Sequence, residues 1–132
     1  MHGLNPAQSK AVLHRGSHLL VLAGAGSGKT RVVTTRIAEL LRHDVAPENI
    51  VGVTFTNKAA KEMRERLIDI VGAEKCRGLS LSTFHSFCIK LLREHGHHVG
   101  LKSFFAIADT ADQVQQLTKA AKGYGPLLKK YP

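Results

Sequence analysis

Apolar and polar positions follow two rhythms along this chain, and the changes of rhythm mark its elements. Residues 5–14 read as a short helix, with Asn5 as cap and Pro6 at the first helical position, where a missing N–H costs nothing. Residues 19–22 are four consecutive apolar side chains, the pattern of a buried strand. Residues 23–28 are small and glycine-rich, so a loop follows. From Lys29 to Arg42, Val32, Val33, Ile37, Leu40 and Leu41 recur at helical spacing, and Pro47 closes the next connection. Residues 50–55 are rich in β-branched side chains and predict a second strand.

A third helix runs from Asn57, its expected cap, to Val71, with Ala60, Met63, Leu67 and Ile70 on one face; Gly72 ends it. Residues 79–82 predict a third strand, and Phe84 to His95 a helix with Phe87, Leu91 and Leu92 inward. Residues 104–108 read as another extended run. Residues 110–122 read as a helix opened by a capping box between Thr110 and Gln113. Residues 123–132 read as a frayed tail. Strand and helix alternate three times, which predicts an α/β fold with a parallel sheet flanked by helices.

The segment Ala23-Gly24-Ala25-Gly26-Ser27-Gly28-Lys29-Thr30 carries the strongest chemistry. It follows an expected strand and opens an expected helix, the context a phosphate-binding P-loop requires. Its glycines let backbone N–H groups turn toward an anion, and the helix adds the positive end of its dipole. The Lys29 ammonium suits the β- and γ-phosphates of ATP, and the Thr30 hydroxyl suits Mg²⁺. The one departure from the usual pattern is Ala23 at the first glycine position.

Charge changes the picture next. Nineteen Lys and Arg against ten Asp and Glu give a formal charge of +9. Such a balance points to a polyanionic partner, nucleic acid first, because basic side chains release counterions on meeting phosphates. Lys58, Lys61, Arg64 and Arg66 crowd one helix, interleaved with Glu62, Glu65 and Asp69, so a solvated face also explains them. Cys76 and Cys88 form no C-x-x-C pair, which fits a reducing compartment. No apolar run is long enough to span a membrane and the first residues lack a signal-peptide core, so a cytoplasmic protein is expected. His95, His97 and His98 cluster, but a metal site needs more ligands in fixed geometry, and they read as a helix end and loop.

Three further segments turn a phosphate loop into a more specific expectation: Leu4-Asn5-Pro6-Ala7-Gln8, residues 53–64 (VTFTNKAAKEMR) and Ser82-Thr83-Phe84-His85-Ser86. In this order they resemble the first motor subdomain of superfamily-one DNA helicases of the UvrD/Rep/PcrA type, most of all Rep-like enzymes, over about residues 3–120. The resemblance implies an incomplete RecA-like P-loop NTPase domain over residues 1–100 and the start of an inserted helical subdomain over 101–132. It implies that Gln8 reads the adenine edge and that Arg31 stacks on the ring. It implies that Phe55, Thr56, Asn57 and Lys58, with Thr83, Phe84 and His85, contact single-stranded DNA.

The family also carries an Asp-Glu pair for Mg²⁺ and the attacking water, and no such pair occurs in this sequence. Asp109, after an apolar run, imitates its position but is expected to begin a helix. The chain is therefore expected to be the front of an ATP-dependent 3′-to-5′ helicase, without unwinding activity alone and completed by further helicase domains. Two other classes remain in view: a small self-contained P-loop kinase, and a non-catalytic nucleic-acid-binding module.

Overall fold

The computed structural model describes residues 3–122, and the tail expected for residues 123–132 lies outside them. Two compact units divide the chain, residues 1–90 and 91–132. The first holds helix α1 (Pro6–Leu13), helix α2 (Lys29–Arg42), strand β1 (Val51–Thr54), helix α3 (Asn57–Val71), strand β2 (Ser80–Thr83) and the first turns of helix α4 (Phe84–His95). The second continues from the end of α4 through a short 3-10 turn at Gly96–Val99 to helix α5 (Thr110–Ala121). No helix among the described residues is long and apolar enough to cross a membrane.

β1 and β2 pair in parallel, with Val51 opposite Ser80 and Thr54 opposite Thr83. A parallel pair cannot be joined by a tight turn, and α3 provides the crossover. The main core lies between α2, α3 and this sheet: Ile37, Ala38, Leu41, Met63, Leu67, Leu79 and Leu81 close around one another. On α3 the buried positions are Ala60, Met63 and Leu67, and Val71 rather than Ile70 packs beside them. The spacing of three, four and four residues keeps that stripe on one face of a 3.6-residue helix. A smaller cluster of Leu4, Ala11, Val12 and Val32 seats α1 on α2.

Two expected strands and two expected caps are also corrected. Residues 19–22 form no strand; the sheet of the described residues has two strands, and Leu20 and Leu22 are exposed. β-branched and apolar content favours a strand, but a strand also needs a ladder partner, and no ladder joins residues 19–22 to the β1–β2 pair. Residues 104–108 form no strand either, for the same reason. The cap of α3 is Thr56, not Asn57, because the Thr56 hydroxyl accepts from the Ala59 N–H at 3.1 Å and Asn57 is already helical. The cap of α5 is Asp109: it and Asp112 form a reciprocal capping box, one residue ahead of the expected Thr110 and Gln113. Helix α4 has its expected bounds, yet none of its side chains is fully buried and Leu91 is exposed.

Candidate functional site

The loop before α2 is built around left-handed backbone. Gly28 caps α2 at φ 81°, and its carbonyl accepts the Val32 N–H at 3.0 Å. Gly26 lies at φ 72°. A β-carbon at either costs about 1–2 kcal/mol, so glycine is the fitting residue at both. The Ser27 hydroxyl donates to the Gly24 carbonyl at 2.7 Å and tightens the turn. The Lys29 ammonium folds back over the loop, donating to the Gly24 carbonyl at 2.7 Å and the Ala23 carbonyl at 3.2 Å. These acceptors are neutral and the site is exposed, so a phosphate, with its charge-assisted bonds, is the stronger acceptor for the same ammonium. Thr30 and Arg31 follow on the first turn of α2, where backbone N–H groups have no acceptor within the helix.

Gln8 reaches this loop from α1. Its backbone N–H donates to the Asn5 side chain at 2.8 Å, and its side-chain Oε1 accepts the Asn5 N–H at 2.9 Å. The Nε2 of the same amide donates to the Ser27 carbonyl at 3.0 Å. The capping box and the loop thus fix which way the amide faces, leaving one donor hydrogen and one lone pair uncommitted. The Arg31 guanidinium lies against Gly3. A largely apolar groove of about 520 Å³ opens between α1, residues 19–23 and α2, with Gln8, Ser27, Lys29 and Arg36 among its walls. That volume falls in the range of small-molecule pockets.

A second surface forms where β1 and β2 end. Because the strands are neighbours in register, they deliver the N-termini of α3 and α4 side by side. Phe55 stands 98% exposed at the end of β1, so it fills no core position here. Thr56 caps α3, and Asn57 and Lys58 are exposed on its first turn. Thr83 is buried; its hydroxyl accepts the Ser86 N–H at 3.2 Å and bonds the Ser86 hydroxyl at 2.9 Å, capping α4. Phe84 and His85 follow, both exposed. The seven residues read as a nucleic-acid surface therefore gather on one rim, six of them exposed and Thr83 buried, with Thr56 and Thr83 capping the two helices.

Sequence reading missed several interactions. Arg64, counted with the surface basic residues, donates to the Leu79 carbonyl at 3.0 Å and steadies the entry to β2. Arg36 donates from α2 to carbonyls at the end of α1. Neither had a signal in spacing or composition, since both depend on where a distant carbonyl lands. The Asn5–Gln8 capping box did have one, an N-cap residue followed three positions later by Gln. Burial pushes the Cys76 thiol up from its ordinary pKa, and the nearby Arg64 charge partly opposes this. The His97 and His98 rings lie 3.9 Å apart, and no group of three metal-ligating side chains converges among the described residues. Asp109 serves as the cap of α5.

Comparison with known proteins gives a consistent result. Residues 4–130 match the UvrD/REP helicase N-terminal domain. ATP-dependent DNA helicase UvrD1 of Mycobacterium bovis is 48% identical over 133 aligned positions, covering 99% of this chain and 17% of the relative. ATP-dependent DNA helicase PcrA of Bacillus subtilis is 50% identical over 115 positions, 86% of this chain and 15% of the relative. A probable DNA helicase II homolog of Rickettsia conorii is 46% identical over 134 positions, 99% of this chain and 20% of the relative. The chain thus spans less than a quarter of the length of these relatives. With a match along almost its whole length, the chain belongs to the UvrD/REP helicase N-terminal domain family.

Proposed function

We propose that this chain binds Mg-ATP at Gly24–Thr30 and single-stranded DNA at the rim formed by Phe55–Lys58 and Thr83–His85, as the nucleotide- and DNA-gripping front of an ATP-dependent DNA helicase. The observation that carries the reading is the convergence of Gln8, Ser27 and Lys29 on one glycine-built loop at the start of α2. The names of the UvrD1 and PcrA relatives, both ATP-dependent DNA helicases, support it.

The donor set suits a nucleoside triphosphate. Lys29 would exchange its loop carbonyls for phosphate oxygens, the loop N–H groups would surround them, and Thr30 would hold Mg²⁺. Gln8 would present its remaining donor and lone pair to the adenine edge, and Arg31 would lie over the ring. On the second rim, Phe55 would stack on a base, while Asn57, Lys58 and His85 would meet phosphates beside two positive helix ends. The RecA-like fold, cytoplasmic location and 3′-to-5′ polarity belong to this same reading, through the family resemblance.

ATP supplies the free energy of phosphoryl transfer when bound, but releasing it needs a carboxylate to hold Mg²⁺ and another to position water. The sequence contains no adjacent Asp-Glu pair, and Asp109 is occupied as a helix cap. Binding without turnover is the expected behaviour of this chain, with the arginines and carboxylates of further helicase domains completing the site. An ATPase assay with saturating single-stranded DNA tests this: no stimulated turnover is expected, and DNA-dependent hydrolysis would overturn it. Phosphoryl transfer to a small acceptor would instead establish a self-contained kinase.

A further inference from the structure

Helix α1 is tied to the loop before α2 at Gln8 and to α2 itself at its far end. Arg36, about two turns into α2, sends Nη1 to the Ala11 carbonyl at 2.8 Å, the Val12 carbonyl at 3.3 Å and the His14 carbonyl at 2.7 Å. These are the last carbonyls of α1, left without helical partners and carrying its negative pole. A guanidinium is always charged and suits that position. Arg15 also donates to the Val12 and His14 carbonyls, both at 3.0 Å, but it sits on the same segment and links nothing to α2.

We propose that Arg36 is a positioning residue for base recognition: by pinning the C-terminal end of α1 to α2, it sets the reach of Gln8 toward the phosphate loop. α1 is only eight residues long and its packed side chains are few, Ala11 and Val12 against Val32. A helix this short is marginal without tertiary anchors. Two anchors hold it: Arg36 ties its C-terminal end to α2, and the Gln8–Ser27 bond ties its first turn to the loop that leads into α2. Arg36 also lines the groove that Gln8 overlooks. Releasing the Arg36 anchor lets α1 rock, and the cost falls on the group whose use depends on orientation. That group is the Gln8 amide, which distinguishes adenine, with a donor beside an acceptor, from guanine, with two acceptors. The phosphate grip is built within the loop and does not pass through α1.

The inference rests on the nucleotide reading above, and the experiment separates the two. Binding of ATP, GTP and inorganic tripolyphosphate, each with Mg²⁺, is measured by calorimetry on the whole chain and on Arg36→Met, Arg36→Lys, Arg15→Met and Lys29→Ala. The parent chain is expected to prefer ATP to GTP. Arg36→Met should shrink that preference by about fivefold, the worth of one well-oriented hydrogen bond, with tripolyphosphate affinity unchanged within about twofold. Arg36→Lys should recover part of the preference, and Arg15→Met should keep it. An unchanged ATP/GTP ratio in Arg36→Met overturns the proposal, as does an equal effect from Arg15→Met or a parallel loss of tripolyphosphate binding, which would mark a general loss of structure. Tripolyphosphate binding that survives Lys29→Ala would sink the nucleotide reading itself and this inference with it.

Discussion

Substituting Gly28 by Ala perturbs the loop in two ways that the structure separates. Gly28 has φ 81°, so an L side chain there is strained at about 1–2 kcal/mol. An added Cβ would also stand 3.2 Å from the Gln8 Nε2, closer than ordinary van der Waals contact. Gln8 must then give way, and its 3.0 Å bond to the Ser27 carbonyl is the contact it loses, worth about 0.5–1.5 kcal/mol. Gly16 offers an internal standard: it has φ 82° and nothing within 4 Å of its added Cβ. Gly16→Ala should cost the backbone strain alone, and Gly28→Ala should exceed it by about 0.5–1.5 kcal/mol. Urea denaturation followed by circular dichroism measures both, and repeating the pair in a Gln8→Ala background should erase the difference. Equal costs for the two glycines with Gln8 present, or a difference that survives Gln8→Ala, would refute the claim that Gln8 is seated on this loop.

Other consequences follow from burial and exposure. Leu67→Ala removes a fully buried side chain at the centre of the α2–α3–sheet core and should lower stability by about 2–5 kcal/mol in the same denaturation experiment. Phe55→Ala touches an almost wholly exposed ring, so stability should hold while single-stranded DNA affinity, read by fluorescence anisotropy, falls by about 1–3 kcal/mol. Cys76 is buried with a raised pKa, so a maleimide reagent should modify the half-buried Cys88 well before it. The same shift gives a pH dependence: below about 8.5 the thiol is protonated folded and unfolded alike, and above it the unfolded chain loses the proton first. Stability should therefore fall as pH rises past that point, and Cys76→Ala should remove this part of the alkaline loss.

The helices were legible in the sequence because their apolar stripes are long enough to declare a 3.6-residue period, as at Ala60, Met63 and Leu67. Their caps were legible only to within a residue: Thr56 and Asn57, like Asp109 and Thr110, are all capable caps, and the choice depends on where the backbone leaves the extended region. Strands were the weaker inference. Leu19 to Leu22 has the composition of a buried strand, but pairing is a property of two segments and cannot be read from one. The loop at Gly24–Thr30 was readable because its function is carried by backbone, and only glycine leaves that mark on a sequence. Arg36 and Arg64 were not readable, since a guanidinium that bonds a carbonyl some 15 to 25 residues away looks the same as one in water.

The central claim is that Lys29 and its loop hold the phosphates of a nucleotide. Calorimetric titration of Mg-ATP into this chain and into Lys29→Ala tests it most directly. The account predicts saturable binding by the parent chain that is lost, or weakened by at least about tenfold, in the variant, as befits removal of a charge-assisted contact. Equal binding by both proteins, with the variant folded, would contradict it.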